Sequence, residues 1–335
     1  MFILRSVSQN DLDGLYQLSS MVNFINLPHD KKNIDAKIKS SLKSFLKPNK
    51  DKSKNYYIFC LEDLKTKKVL GVSMIHAQHG TEKEPHFFLI VGQERKFSKT
   101  INTGFIHGTL KLGLDYNGPT EIGGLVLHSD LRGHPEKLGK QLSFVRFLYM
   151  AIHKDRFKPI IHSELMPPLD HNGNSPLWEA IGRRFLNMDY IEADVLSRSN
   201  KEFILSLYPE ENIYQTLLSP EARNAIGKVG KDTEPVKAML EKIGFEYTNE
   251  VDPFDGGPHY RCPLKNIKPV KQYFEAKVKI GNTSKDKTDY LVQIENKQHA
   301  FFALASRGCH EKGVFYLDKE NDFIKEGDLV KGIPF

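Results

Sequence analysis

The groups best suited to holding a phosphate lie together in residues 121–150, EIGGLVLHSDLRGHPEKLGKQLSFVRFLYM, where Arg132, Gly133, Gly139 and Lys140 fall in one short stretch. Arginine and lysine supply positive charge, and glycine lets a backbone approach an anion closely. Before them runs an apolar segment with β-branched members (Ile122, Leu125, Val126, Leu127), which reads as a strand. After them Leu138, Leu142, Val145, Tyr149 and Ile152 recur at the helical period. One helix face should therefore pack on a sheet, while the helix N-terminus turns unpaired N–H groups and the positive dipole end toward the loop. The functional reading is a pyrophosphate cradle. The competing reading is an ordinary strand-loop-helix unit that binds no phosphate, because isolated glycine motifs recur widely and this one fits neither the P-loop nor GxGxxG.

The elements around this stretch set the fold class. Residues 2–5 read as a strand, and Ser8 with Asp11 makes a capping-box start for a helix carrying Leu12, Leu15, Leu18 and Met21. A second helix follows Pro28, with Ile34, Ile38, Leu42 and Phe45 in register, and it stops before Pro48. Residues 56–63 and 69–77 have the look of an antiparallel hairpin, 87–92 add a strand, and 159–165 another. Ser175-Pro176 starts a helix SPLWEAIGRRFL in which Trp178, Ile181 and Phe185 lie on the apolar side. The run 201–208 is open between strand and helix end. Ser219-Pro220 and Thr233 start two more helices, the second ending at Gly244. From Thr288 short strands return. Strand, two helices, then antiparallel strands argue for α+β and against a doubly wound parallel sheet. We expect a main region over 1–280, with a subdomain split near 155–200, and a small C-terminal β module over 281–335.

Bulk properties exclude several classes. The chain has 335 residues, 39% hydrophobic and 27% charged, so it can bury a substantial core and is not a disordered chain. A net charge of +6, with lysines scattered apart from a run at 47–54, suits an anionic cofactor and gives no specific sign of nucleic acid. The three cysteines, Cys60, Cys262 and Cys309, are far apart and form no CxxC pair, so neither a disulfide framework nor a zinc site is expected. No apolar run approaches membrane-spanning length, and the expected location is the cytoplasm.

Residues 121–139 resemble the acyl-CoA-binding segment of the GNAT acyltransferases, in which a strand feeds an R/Q-x-x-G-x-G/A loop; here the loop from Arg132 to Gly139 is about two residues longer. A more specific resemblance runs nearly end to end. ILRSV near the start, NLPHD at 26–30, FCLED at 59–63, SFVRFLYMA at 143–151, SPLWEAIGRRFLNMDYIEAD at 175–194, NIYQTLLSPEARNAIGKV at 212–229, LEKIGFEY at 240–247 and VDPFDGGP at 251–258 are similar to the arginine N-succinyltransferases. That resemblance implies a GNAT-like α+β fold and transfer of succinyl from succinyl-CoA to the α-amino group of L-arginine. It also implies a homo-oligomer with small-molecule substrates; from the bulk properties above, no metal, nucleic acid or membrane is expected.

Carried over by position, the family's backbone contact to succinyl-CoA falls at Leu125, with Val126 and Leu127 beside it. The family's proton-donating histidine, in an IGQVHPQTAP-like stretch, falls at Gly230 in IGKVGKDTEP. The family's EMRG reads Glu164-Leu165-Met166-Pro167, and its VHAS reads Arg95-Lys96-Phe97-Ser98. Acyl transfer to an amine still needs a proton acceptor, an oxyanion donor and a route to protonate the thiolate. Glu164 and His128 are the substitutes expected here, although Glu164 can equally pair with Arg183 or Arg184, and His128 can face solvent at a strand end. A guanidinium substrate asks for carboxylates, for which Asp170, Asp252 and Asp255 are candidates beside Glu164. The DPFDGGP segment is as readily a structural turn. The alternative to an enzyme is a non-catalytic or altered-specificity relative: a ligand-binding subunit, or an acyltransferase for ornithine or another amine.

Overall fold

The computed structural model describes residues 1–21, 27–197, 200–281 and 287–335; Asn26 of the NLPHD match lies outside them. In chain order the N-terminal part runs β1 (Phe2–Ser6), α1 (Leu12–Ser19), α2 (Lys31–Leu46), β2 (Tyr56–Asp63), β3 (Lys68–His76), β4 (His86–Ser98), β5 (Thr103–Asp115), β6 (Thr120–Leu127), α3 (Leu138–Ile152) and β7 (Ile160–Glu164). Short helices follow: α4 (Pro176–Ala180), α5 (Gly182–Leu186), α6 (Tyr190–Ser197) and α7 (Glu202–Leu207). Then come β8 (Ile213–Tyr214), α8 (Pro220–Ala225), α9 (Glu234–Ile243), β9 (Glu246–Val251), β10 (Pro258–Pro263) and α10 (Lys268–Lys271). The last strands are β11 (Phe274–Ile280), β12 (Thr288–Gln293), β13 (Phe302–Glu311), β14 (Val314–Leu317) and β15 (Leu329–Pro334). Two compact units emerge: residues 1–78, 120–161 and 263–335 form the first, and 79–119 with 162–262 form the second.

In the first unit the strands run in the order β12-β15-β11-β14-β13-β1-β2-β3-β6. α1 and α2 lay Leu15, Leu18, Ile34 and Ile38 on Ile58, Cys60, Val72 and Met74 of the sheet, all fully or nearly fully buried. Asp30 caps α2 by accepting the Asn33 N–H at 3.0 Å, and the helix ends at Leu46, two residues ahead of Pro48. α3 is buried around most of its circumference, which explains its apolar composition beyond a single stripe. The described residues contain no helix long and apolar enough to cross a membrane.

The tail is divided differently from the expected break at 280. The C-terminal strands begin with β11, and β13 pairs with β1 through Leu4↔Ala303 and Arg5↔Phe302. Ile3 shares a core with Phe302, Leu304 and Phe315. The physical reason is that β1 is buried, and β13 supplies the ladder partner that would otherwise be missing on its open edge.

In the second unit the order is β7-β10-β9-β4-β5-β8. β4 and β5 pair along their full length, from His86↔Asp115 to Ser98↔Thr103. One face of this hairpin, with Phe87, Leu89 and Leu110, packs on Leu177, Trp178 and Ile181. Trp178 is the expected core residue, stacked on Phe254 with ring centroids 4.9 Å apart. The single helix read over 176–186 is broken at Ile181 (φ −125°, ψ −71°), and a Cβ on Gly182 would meet the Trp178 ring at 2.2 Å, so the indole occupies the space a side chain would need. The ambiguous run 201–208 is helical, as α7.

Candidate functional site

In the first unit the central strand carries a local irregularity where the sequence places the thioester contact. Val72 pairs with Val126 and Met74 with Gly123, so Gly124 and Leu125 together oppose the single residue Ser73. Two residues against one is a β-bulge, which interrupts the ladder and re-aims the backbone. Gly124 has φ +55°, and a Cβ there would lie 2.7 Å from Met74 Sδ, so a side chain would be strained and would have to displace the Met74 thioether. Ser73 holds the strand on α3 by donating its hydroxyl to Leu142 O at 2.7 Å.

β6 ends at Leu127, and His128 follows, its N–H donated to Leu70 O at 2.8 Å. The imidazole is one-third exposed, and its Nδ1 accepts the Asp130 N–H at 3.4 Å. A ring that accepts at Nδ1 carries its proton on Nε2 when neutral; Asp130 Oδ2 also stands 3.7 Å from Nδ1. Beyond it, Gly133 (φ +73°) and Lys137 (φ +55°) turn the chain into α3. α3 has no side-chain cap, although the Lys140 N–H of its first turn is donated to Lys137 O at 2.9 Å. Gly139 faces Leu127 at ordinary contact distance and is not sterically compelled. Arg132 is exposed on the loop, and Lys140 lies over the Phe144 ring, 5.3 Å from its centroid.

Arg146 of the same helix was not among the expected site residues. Its guanidinium is only 3% exposed, and it donates to Ser143 O (3.0 Å), Ser143 Oγ (2.7 Å) and, next to the bulge, Gly123 O (3.4 Å). Among the described ion pairs none involves Arg146, and burial alone lowers its pKa to about 9.

In the second unit Glu164 sits among three buried histidines. Its Oε1 lies 3.1 Å from His86 Nε2, 3.2 Å from His162 Nε2 and 3.7 Å from His259 Nε2. Burial opposes its charge, but the His162 and His86 contacts outweigh that and hold the carboxyl well below its ordinary range. The Glu164 pairing weighed against Arg183 and Arg184 is thus replaced by imidazoles; Arg183 bonds Glu179 and Asp189 instead. His86, His162 and His259 were missed in the sequence because they arrive from three strands far apart in the chain. The only local signal was the alternation His162-Ser163-Glu164, which puts two of the four groups on one face of β7.

The three aspartates are engaged in turns. Asp252 Oδ1 accepts the N–H groups of Phe254 (2.7 Å) and Asp255 (3.1 Å), and Asp255 Oδ1 accepts that of Gly257 at 2.7 Å. Gly256 takes φ +82°. Burial, with Glu164 next, raises the Asp252 pKa to about 7, and burial with Asp252 raises that of Asp255. Asp170 ties its own exposed loop by accepting from Asn172 and Asn174, each at 2.8 Å.

A family model described as the arginine N-succinyltransferase beta subunit matches residues 2–269. The arginine N-succinyltransferase of Escherichia coli (strain 55989 / EAEC) is 34% identical over 337 residues, covering 99% of this chain and 97% of that protein. The chain belongs to the arginine N-succinyltransferase family. The corresponding protein of Shigella dysenteriae serotype 1 is 35% identical with the same coverage. Among solved structures, the arginine/ornithine succinyltransferase subunit AI from Pseudomonas aeruginosa aligns with a TM-score of 0.83 at 26% identity, covering 100% of this chain and 98% of that one. The GNAT-like α+β class expected from the sequence is the class observed.

As an arginine N-succinyltransferase family member, the chain carries Gly230 where the resemblance placed a histidine. Gly230 donates its N–H to Met166 O at 2.8 Å, just beyond β7. A Cβ built there would lie 2.9 Å from Pro167 O, a backbone atom that cannot swing aside. The glycine is therefore matched to the local backbone. Gly230→His is expected to lower stability by about 1–3 kcal/mol through overpacking, read as the urea midpoint, and to bring no gain in turnover. A variant that kept its midpoint and gained rate would refute this reading.

Proposed function

We propose that the chain transfers the succinyl group of succinyl-CoA to the α-amino group of L-arginine. The observation that carries the proposal is family membership over the full chain together with the bulged central strand at Gly124–Leu125. In the reaction the deprotonated amine nitrogen attacks the thioester carbonyl, the C–S bond breaks, and the departing thiolate takes up a proton. A backbone N–H at the Leu125 bulge, with Val126 and Leu127 continuing the strand, is suited to polarise the thioester carbonyl. The uncapped start of α3, with Arg132 and Lys140 in the same segment, is suited to the pyrophosphate. His128 is the group we assign to protonate the thiolate: as the imidazolium it gives up one proton and is left as a neutral ring. Glu164, our other expected catalytic residue, has its Oε1 engaged by three imidazoles of the second unit and is given no proton-transfer role in this proposal.

Arg146 supports succinyl in preference to an uncharged acyl group. A buried guanidinium beside the bulge, with no ion-pair partner described, gains most from an incoming carboxylate. Arg146→Leu is expected to lower kcat/KM for succinyl-CoA about 100-fold, in the range for a lost buried charge partner, while acetyl-CoA turnover changes little. Equal losses with both donors would count against the assignment.

The overall proposal is tested by thiol release from succinyl-CoA with L-arginine, beside arms with acetyl-CoA and with ornithine. Turnover that requires both succinyl-CoA and arginine supports it. Turnover with ornithine alone, or acyl-CoA binding without thiol release, would replace it with the altered-acceptor or non-catalytic alternative.

A further inference from the structure

We propose that His86, His162, His259 and Glu164 form a binding site for a divalent transition-metal ion of the zinc type within the second unit. The proposal departs from the sequence expectation of no metal and does not depend on the succinyl-transfer reading.

The four side chains come from the start of β4, from alternate residues of β7 and from β10, and their ligand atoms all lie within 4.8 Å of one another. A tetrahedral ion with bonds of about 2.0–2.1 Å sets its donor atoms roughly 3.3 Å apart. Glu164 Oε1 stands 3.1, 3.2 and 3.7 Å from the three Nε2 atoms, close to those edges. Three imidazoles and one carboxylate are the donors of zinc and its neighbours, whereas magnesium and calcium take oxygen.

The hydrogen bonding points the same way. His86, His162 and His259 are 1%, 0% and 0% exposed, yet neither ring nitrogen of His259 has a hydrogen-bond partner, nor has His86 Nδ1. Buried polar atoms without partners are rare, and an unplaced ion is one of their ordinary explanations. His259 Nδ1 also faces Glu250 Oε2 at 3.7 Å, the carboxylate-behind-histidine arrangement that turns Nε2 toward a metal.

One contact must yield. Arg261 Nε donates to His162 Nδ1 at 3.3 Å, and a metal on Nε2 would place the proton on Nδ1. Arg261 keeps a closer partner in Glu250, 2.8 Å from its Nη2, to which it can turn. Filled, the site would join β4, β7 and β10 through one ion.

The test uses full-length chain freed of any histidine tag. Metal content is measured by mass spectrometry, and chelator-stripped protein is then titrated with zinc sulfate and with cobalt chloride. The expected result is about one ion per chain, a thermal midpoint that rises on zinc addition, and the visible bands of tetrahedral cobalt. His259→Ala and Glu164→Gln should each weaken zinc binding more than ~100-fold, while His107→Ala, on an exposed part of β5, should leave it unchanged. If one cluster variant fails to fold, the other and the native stoichiometry still decide. Native protein without metal whose stripped form takes up no zinc at micromolar concentration would overturn the proposal. So would stoichiometric uptake that survives both cluster substitutions.

Discussion

Replacing His128 with alanine should lower kcat for succinyl transfer by about 10²–10⁴-fold, the usual cost of losing a general acid. The residue stands three positions beyond Leu125, at the end of the strand assigned to the thioester, with its main chain fixed on Leu70 and its Nδ1 occupied by the Asp130 N–H. That arrangement engages Nδ1 within the loop, so the proton would be delivered from Nε2 of the imidazolium. Its ring is outside the buried core, so truncation should leave the urea midpoint nearly unchanged. Two readouts separate catalysis from positioning. KM for succinyl-CoA should move far less than kcat, and added imidazole should restore part of the rate by supplying the missing proton. A uniform rise in KM with kcat intact would assign His128 to binding.

Arg5→Met should destabilise the first unit by about 3–5 kcal/mol, the cost of removing one member of a buried ion network. Arg5, 4% exposed, grips Asp11 with two nitrogens at 2.7 and 2.8 Å and Glu62 with Nε at 2.5 Å. Methionine fills much of the volume but leaves two buried carboxylates, Asp11 at 6% and Glu62 at 9% exposure, without their cation. The effect should depend on pH with a definite sign. Burial opposes ionisation of Asp11, but the Arg5 bonds outweigh it and the net pKa is lowered. A carboxyl lowered on folding contributes stability above its unfolded value of about 3.9 and loses it as pH falls through the folded value. The gap between native and variant midpoints should therefore be widest near neutrality and narrow in acid. A gap that widened on acidification would remove the ion network as its cause.

Several elements were legible because local chemistry decided them. Leu12, Leu15 and Leu18 placed α1, Pro48 ended α2, Ser219-Pro220 and Gly244 marked helix boundaries, and the 56–63 strand was read to the residue. β5 was overlooked although Leu110, Leu112 and Leu114 alternate within it, because glycines at 104, 108 and 113 dilute the pattern. The capping role of Asp11 was visible at three-residue range, as its acceptance of the Ser8 N–H at 2.6 Å shows. Its ion pair with Arg5 and, through Arg5, its link to Glu62 was not, since a charge pairing across a sheet leaves no periodic trace.

Sequence alone determined the family, the α+β class, the helix after the central strand and the absence of a histidine at 230. These follow from ordered motifs and short-range periodicity. Tertiary structure decided what period and spacing cannot encode: the bulge that favours glycine at 124, the joining of the C-terminal strands to β1, and the Pro167 carbonyl that fits glycine at 230. It also gathered His86, His162 and His259 around Glu164, from positions up to 173 residues apart, because strand pairing order brings β4, β7 and β10 into one sheet of the second unit. Distance along a chain says nothing about distance across a sheet until the order of its strands is known.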